Sequence, residues 1–297
     1  HPSAITTRGD PSGYDPGSPY ATRDYFAVAS IMGRDDTEAG ALSEFTNFVY
    51  QCDTYAGDIG PIHIMLDGVF NHTAWDAVMG KGGVDLGYAT SVTQSMPGTK
   101  PGWYSYWQDY GAPATFYTGV YDNDIAVAPD RGDFGKWEDT ADLFFGRYSA
   151  LVRHNPENNG DYLNEDDVYD YAGMSSDTVA LWKYFAYYTE YWLKKTGHPT
   201  NNNNAAYDDR GIDALRCDFG QGLPPQLWEY IINRTRKMKW SFVFMAETLD
   251  GGVPGYRSNR HFDILNENIV FDLKAANNVT DYRTLLENRR LAYGQGL

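Results

Sequence analysis

The sequence predicts an α/β fold built on a parallel sheet. Three short runs carry that expectation: Ile62-His63-Ile64-Met65-Leu66-Asp67, Gly211-Ile212-Asp213-Ala214-Leu215-Arg216-Cys217-Asp218 and Phe242-Val243-Phe244-Met245-Ala246-Glu247. Each is of strand length and ends in charged residues. The first and third are near-continuously apolar, as strands covered on both faces are. Segments with helical spacing separate them. That alternation makes βα units, and polar residues at the carboxyl ends of such strands sit where α/β enzymes place their chemistry.

Taken in order, residues 1 to 35 are rich in Gly, Pro, Asp and Tyr and read as a long loop. Thr37 to Ala56 places Leu42, Phe45, Val49, Cys52 and Ala56 at helical spacing, with Asp36 or Thr37 as cap and Gly57 as stop. The strand ending at Asp67 follows. From Thr73 to Ser175 helical periodicity disappears and Gly, Asp and aromatics dominate. A connection of about a hundred residues exceeds ordinary loops, so it should form a small domain of its own. Trp103, Trp107 and Tyr121 in that stretch are either platforms for a ligand or packing rings.

Asp177 to Lys195 is the clearest helix, with Leu181, Trp182, Phe185, Tyr188 and Trp192 as an apolar stripe that reads as core. Lys194 and Lys195 complement its carboxyl-end dipole, and Gly197 stops it. Asn201 to Asn204 form a polar loop. Pro224 and Pro225 open the next helix, where a missing N–H costs little, and Leu227, Trp228, Ile231, Thr235 and Met238 give its buried face. After the strand ending at Glu247, the stretch from Phe262 to Phe271 holds a further strand, and a helix lies around Asp281 to Leu291. The expected units are 1–72 and 176–297 as two parts of one sheet domain, with 73–175 inserted between them.

Composition narrows the partners. A formal net charge of -16 over 297 residues argues against nucleic acid and anionic membrane, both of which are bound through basic patches. No apolar run approaches the roughly 20 residues of a membrane-spanning helix. Uncharged sugar remains compatible, and 24 Tyr and 8 Trp suit it, because pyranose faces stack on rings; packing is the competing use of those rings. Cys52 and Cys217 show neither metal spacing nor a redox pair. The chain opens at His1 without a start methionine or a signal peptide, so compartment is not legible there.

Asp67-Gly68-Val69-Phe70-Asn71-His72, Ala214-Leu215-Arg216-Cys217-Asp218 and Glu247 resemble, in order, the first three of the four sequence regions of the alpha-amylase family of glycoside hydrolases, family 13. Each stands behind a predicted strand. The segment from Ser18 to Val28 is similar to the one that follows the second barrel strand in that family. The resemblance implies a (β/α)8 TIM barrel, truncated at both ends here, with strands three to six present and an inserted domain B after strand 3. No Asn-His-Asp segment follows Glu247, so the fourth region is expected beyond Leu297. A chain without the outer strands is expected to be poorly stable and inactive alone.

The resemblance also implies roles. Asp218 and Glu247 would be nucleophile and acid/base, since glycoside cleavage needs two carboxyl groups with different tasks. Arg216, two residues before Asp218 and on the same side of its strand, favours the ionised carboxylate. Glu247 needs a proton, which burial and the negative charge of Asp218 would have to retain. Tyr20 would stack on the sugar, His72 would bond its hydroxyls, and Asp67 would support Arg216. The substrate would be an α-glucan such as starch or glycogen, or a maltooligosaccharide, cleaved through a covalent glycosyl intermediate. No cofactor is required. Asn71 matches a calcium-ligand position, but Gly222 stands where calcium-dependent members carry a histidine and Gln221 where a lysine is common, so calcium stays open. Ala214 replaces the usual glycine. The rival reading is a non-catalytic relative that keeps the fold as a binding or assembly module; such a relative would be expected to lose Asp218, Glu247 or Arg216.

Overall fold

The computed structural model describes residues 7–8, 20–74, 76–91, 140–145, 176–220, 223, 225–248, 262–267 and 270–293. Trp103, Trp107 and Tyr121, and most of the expected domain B, lie outside them.

Four parallel strands form the centre: β3 (Met65–Gly68), β6 (Ala214–Cys217), β7 (Val243–Thr248) and β8 (Ile264–Glu267), side by side in that order. The parallel sheet and its intervening helices are as expected, and β3, β6 and β7 end within one residue of the Asp67, Asp218 and Glu247 that the sequence marks. Two antiparallel pairs accompany them. β1 (Thr7–Arg8) pairs with β2 (Thr22–Asp24), and β4 (His72–Ala74) pairs with β5 (Thr140–Asp142). The first pair falls in what reads as loop, because strands of two and three residues leave no alternation to detect.

Helix α1 (Glu38–Asp53) starts at Thr37, whose hydroxyl accepts the Gly40 N–H at 2.9 Å. It ends before the expected Gly57. Tyr55 and Ala56 are exposed, so another turn would bury nothing. Short α2 (Gly80–Asp85) runs against propensity with Gly80, Gly82 and Gly83. Packing explains two of these glycines. A Cβ on Gly82 would lie 2.3 Å from the Phe26 ring, and one on Gly80 would lie 2.1 Å from an Asp24 oxygen.

Helices α3 (Ser176–Lys195) and α4 (Pro225–Met238) pack on each other and hold the core. Every stripe residue expected in α3 and α4 is buried. The rings of α3 also use their polar tips. Trp182 Nε1 donates to Phe145 O, Tyr184 Oη to Met79 O, Tyr191 Oη to Phe26 O and Trp192 Nε1 to Tyr25 O, at 2.7 to 3.1 Å. Phe70, just past β3, stacks on Trp228 of α4 at 5.8 Å. Helices α5 (Val270–Ala275) and α6 (Val279–Tyr293) complete the described chain.

The amino ends of the strands are locked by two aspartates, each one residue before its strand. Asp213 accepts the Ile64 N–H at 2.7 Å and pairs with the buried Lys239 ammonium at 2.7 Å. That ammonium also donates to Arg210 O and Ile212 O. Asp263 accepts the Phe244 N–H at 2.7 Å and takes two bonds from Arg236 of α4. Each carboxylate thus ties a strand to its neighbour and to a cation at or just past the end of α4. These ties fix register, which in turn sets where the carboxyl ends fall.

Candidate active site

Register dictates which side chains meet. Asp67 pairs with Arg216, Gly68 with Cys217, and Cys217 with Ala246, so Asp218 comes level with Glu247 one step further on. Side chains alternate along a strand, so Asp67, Arg216, Asp218 and Glu247 emerge on one face.

Arg216 is the hub. Its Nη1 donates to both oxygens of Asp67, at 2.9 and 2.7 Å, and to Asp218 Oδ1 at 2.8 Å. Its Nη2 lies 2.8 Å from Glu247 Oε2. Burial works against the guanidinium charge, but the three carboxylates outweigh it and raise the Arg216 pKa. Side-chain exposure grades the cluster, from 1% for Asp67 to 12% for Asp218 and 19% for Glu247. Asp67 is therefore the floor of the site, and the other two carboxyls lie nearer its open side.

One cation among three carboxylates leaves negative charge in surplus, and protons partly neutralise it. Burial pushes Asp218 up to about 7, helped by the charges of Asp67 and Glu247 and a hydrogen bond with Glu247, and opposed by Arg216. Asp67 rises to about 6, mainly through burial, with Arg216 pulling the other way. Asp218 therefore keeps its proton up to about neutral pH. The sequence reading asks for that proton on Glu247; in this arrangement the carboxyl that gains proton affinity is Asp218.

Tyr20 is partly buried and faces the cluster. Burial raises its phenol pKa, Arg216 opposes this, and Asp218, Asp67 and Glu247 add to it. His72 sits buried at the start of β4, with its Nδ1 3.3 Å from Asn71 Nδ2. Tyr25 Oη lies 2.8 Å from both Val69 O and His72 O, which holds the turn between β3 and β4. Among the described residues no group of three or more His, Cys, Asp or Glu side chains is placed to hold a metal ion. Cys52 and Cys217 are separate buried thiols.

Sequence reasoning missed Phe219. Its backbone is left-handed, with φ +47°, and its N–H donates to Glu247 Oε2 at 3.0 Å. Only the glycine that follows it hints at a tight turn.

Over almost its whole length the chain superposes on solved structures of one kind. It matches an alpha-amylase from Lactobacillus plantarum with a TM-score of 0.51 at 18% identity, over 97% of this chain and 50% of that one. It matches the alpha-amylase of Geobacillus thermoleovorans, solved in complex with acarbose, with a TM-score of 0.53 at 14% identity, over 99% and 48%. The chain shares the alpha-amylase fold. Amy13B of Eubacterium rectale gives a TM-score of 0.51 at 14% identity, over 97% and 46%. The chain therefore spans about half the length of the amylase structures it matches. No family model matches the sequence, and no curated protein matches it either.

Proposed function

We propose that the chain carries the catalytic centre of a retaining glycoside hydrolase or transglycosidase that acts on α-glucosidic bonds of starch, glycogen or maltooligosaccharides. The observation that carries this reading is the pairing of Asp218 with Glu247. Two carboxyls on adjacent strand ends share one guanidinium and lie within hydrogen-bonding reach of each other. An inverting enzyme needs its carboxyls about 6.5–9.5 Å apart to admit a water between them, and a pair in hydrogen-bond contact leaves no such room, which supports the retaining route. In the full barrel the four strands would be completed by others, and residues 73–175 would form domain B against the cleft.

Asp218 attacks the anomeric carbon as an ionised carboxylate while Glu247 gives its proton to the leaving oxygen. Both tasks need the pair to hold one proton in total. Substrate binding has to move that proton from Asp218 to Glu247, a short transfer between bonded neighbours. Arg216 then stabilises Asp218 as an anion, and Asp67 fixes Arg216 from below. Glu247, now ionised, takes a proton from water or a sugar hydroxyl as that acceptor releases the glycosyl group from Asp218. Tyr20 supplies a face for the pyranose ring, and His72 bonds its hydroxyls. Any calcium would be held beside Asn71 and would serve the loop rather than the chemistry.

Asp218→Asn tests the assignment in the protein that carries this chain. Turnover of maltoheptaose should fall by about four orders of magnitude or more, with oligosaccharide binding by calorimetry largely kept. Undiminished turnover would remove Asp218 as nucleophile.

A further inference from the structure

We propose that the turn Asp218-Phe219-Gly220 is a brace that positions Glu247 for proton transfer, with Phe219 and Trp228 as positioning residues. This rests on the reaction reading above. Three observations carry it. First, Phe219 adopts a left-handed backbone, which costs a bulky side chain and persists only where surroundings enforce it. That conformation points its N–H at Glu247 Oε2, 3.0 Å away. Second, Gly220 lies against the next strand: a Cβ there would come within 3.1 Å of Glu247 O and 3.4 Å of Ala246 Cβ. The turn therefore touches Glu247 through both its side chain and its main chain. Third, the buried Trp228 donates from Nε1 to Gly220 O at 2.9 Å and is itself wedged between Phe70 and Phe262. Helix α4 thus holds the turn, and the turn holds Glu247.

The chemical consequence concerns which oxygen of Glu247 works. Oε2 takes both the Phe219 N–H and the Arg216 guanidinium. An oxygen that accepts from two donors is the poorer place for a proton. Oε1 is therefore the oxygen left to carry it, and the brace fixes the plane of that carboxyl. The brace acts on the acid step and not on sugar binding.

Three variants test this, each read by crystallography and by kinetics on maltoheptaose and on a maltooligoside with a dinitrophenyl leaving group, which departs without a proton. Phe219→Val, β-branched and ill-suited to φ +47°, should lengthen the N–Oε2 contact and lower kcat/KM on maltoheptaose about a hundredfold, with oligosaccharide affinity unchanged and a far smaller loss of kcat/KM on the activated substrate. Phe219→Gly suits the conformation and should rescue most of what valine loses. Trp228→Phe keeps a ring but removes the donor to Gly220, and should give a milder version of the valine pattern; it serves if Phe219→Val fails to fold. Equal losses on both substrates, or a glycine variant as impaired as valine with the contact intact, would overturn the brace. If the contact behaves as described but wild-type protein cleaves no α-glucan, the brace stands and the reaction reading falls.

Discussion

The two ends of the same four strands handle charge in opposite ways. At the amino end, Asp213 and Asp263 each meet one permanent cation and one backbone N–H, and the His63 ring also lies 3.4 Å from Asp213. At the carboxyl end, three carboxylates converge on the single guanidinium of Arg216. The first arrangement is balanced, and its task is register. The second buries more negative charge than its one cation neutralises: burial first, and neighbouring carboxylates after it, raise Asp218 and Asp67 and keep a proton in the cluster near neutrality. One sheet therefore separates stability and chemistry along its strand axis.

The largest way to break this contrast is Lys239→Met. It strands the buried Asp213 carboxylate without its ammonium, and urea unfolding should show a loss of about 3–5 kcal/mol. The double variant Lys239→Met/Asp213→Asn should cost less than the two single changes added, because a neutral side chain needs no cation. Additive costs would mean that the two residues do not act as a pair.

At the opposite end, removing a charge should help. The Asp218 carboxyl ionises near 3.8 in an unfolded chain and here only at about 7. Its contribution to stability is complete below about pH 4 and is lost as pH rises through 7. Asp218→Asn removes that loss, so its advantage over wild type should grow between pH 4 and pH 8 by roughly 2–4 kcal/mol in thermal melts. A constant difference across that range would show that Asp218 does not titrate there.

The smallest effect sharpens the site itself. Asp67 is one of the charges that keep the proton on the pair. Asp67→Asn should move the alkaline limb of kcat/KM to lower pH by up to about one unit. An unmoved limb would assign the retained proton to burial and Glu247 without Asp67.

Much of this was legible in the sequence where physics repeats along the chain. The strand ends beside Asp67, Asp218 and Glu247 followed from runs that stop at charges, and the faces of α3 and α4 followed from helical spacing. The alpha-amylase likeness led to the same cluster. What stayed hidden depends on contacts between distant segments. Asp213 and Asp263 read as ordinary polar residues until the strands are set side by side, when each is found one step before its strand and opposite a cation. Helix α2 was missed because its glycines are chosen by Phe26 and Asp24, not by propensity. Phe219 was missed because a backbone angle imposed by its neighbours leaves no mark on a side chain.

The polar tips along α3 have a dynamic consequence. Carbonyls of Tyr25, Phe26, Met79 and Phe145, from three separate stretches of chain, are all fastened to one helix. None of those stretches can loosen without breaking a buried bond to a rigid rod. These stretches therefore move together, and any adjustment there is a collective step rather than the flexing of one loop.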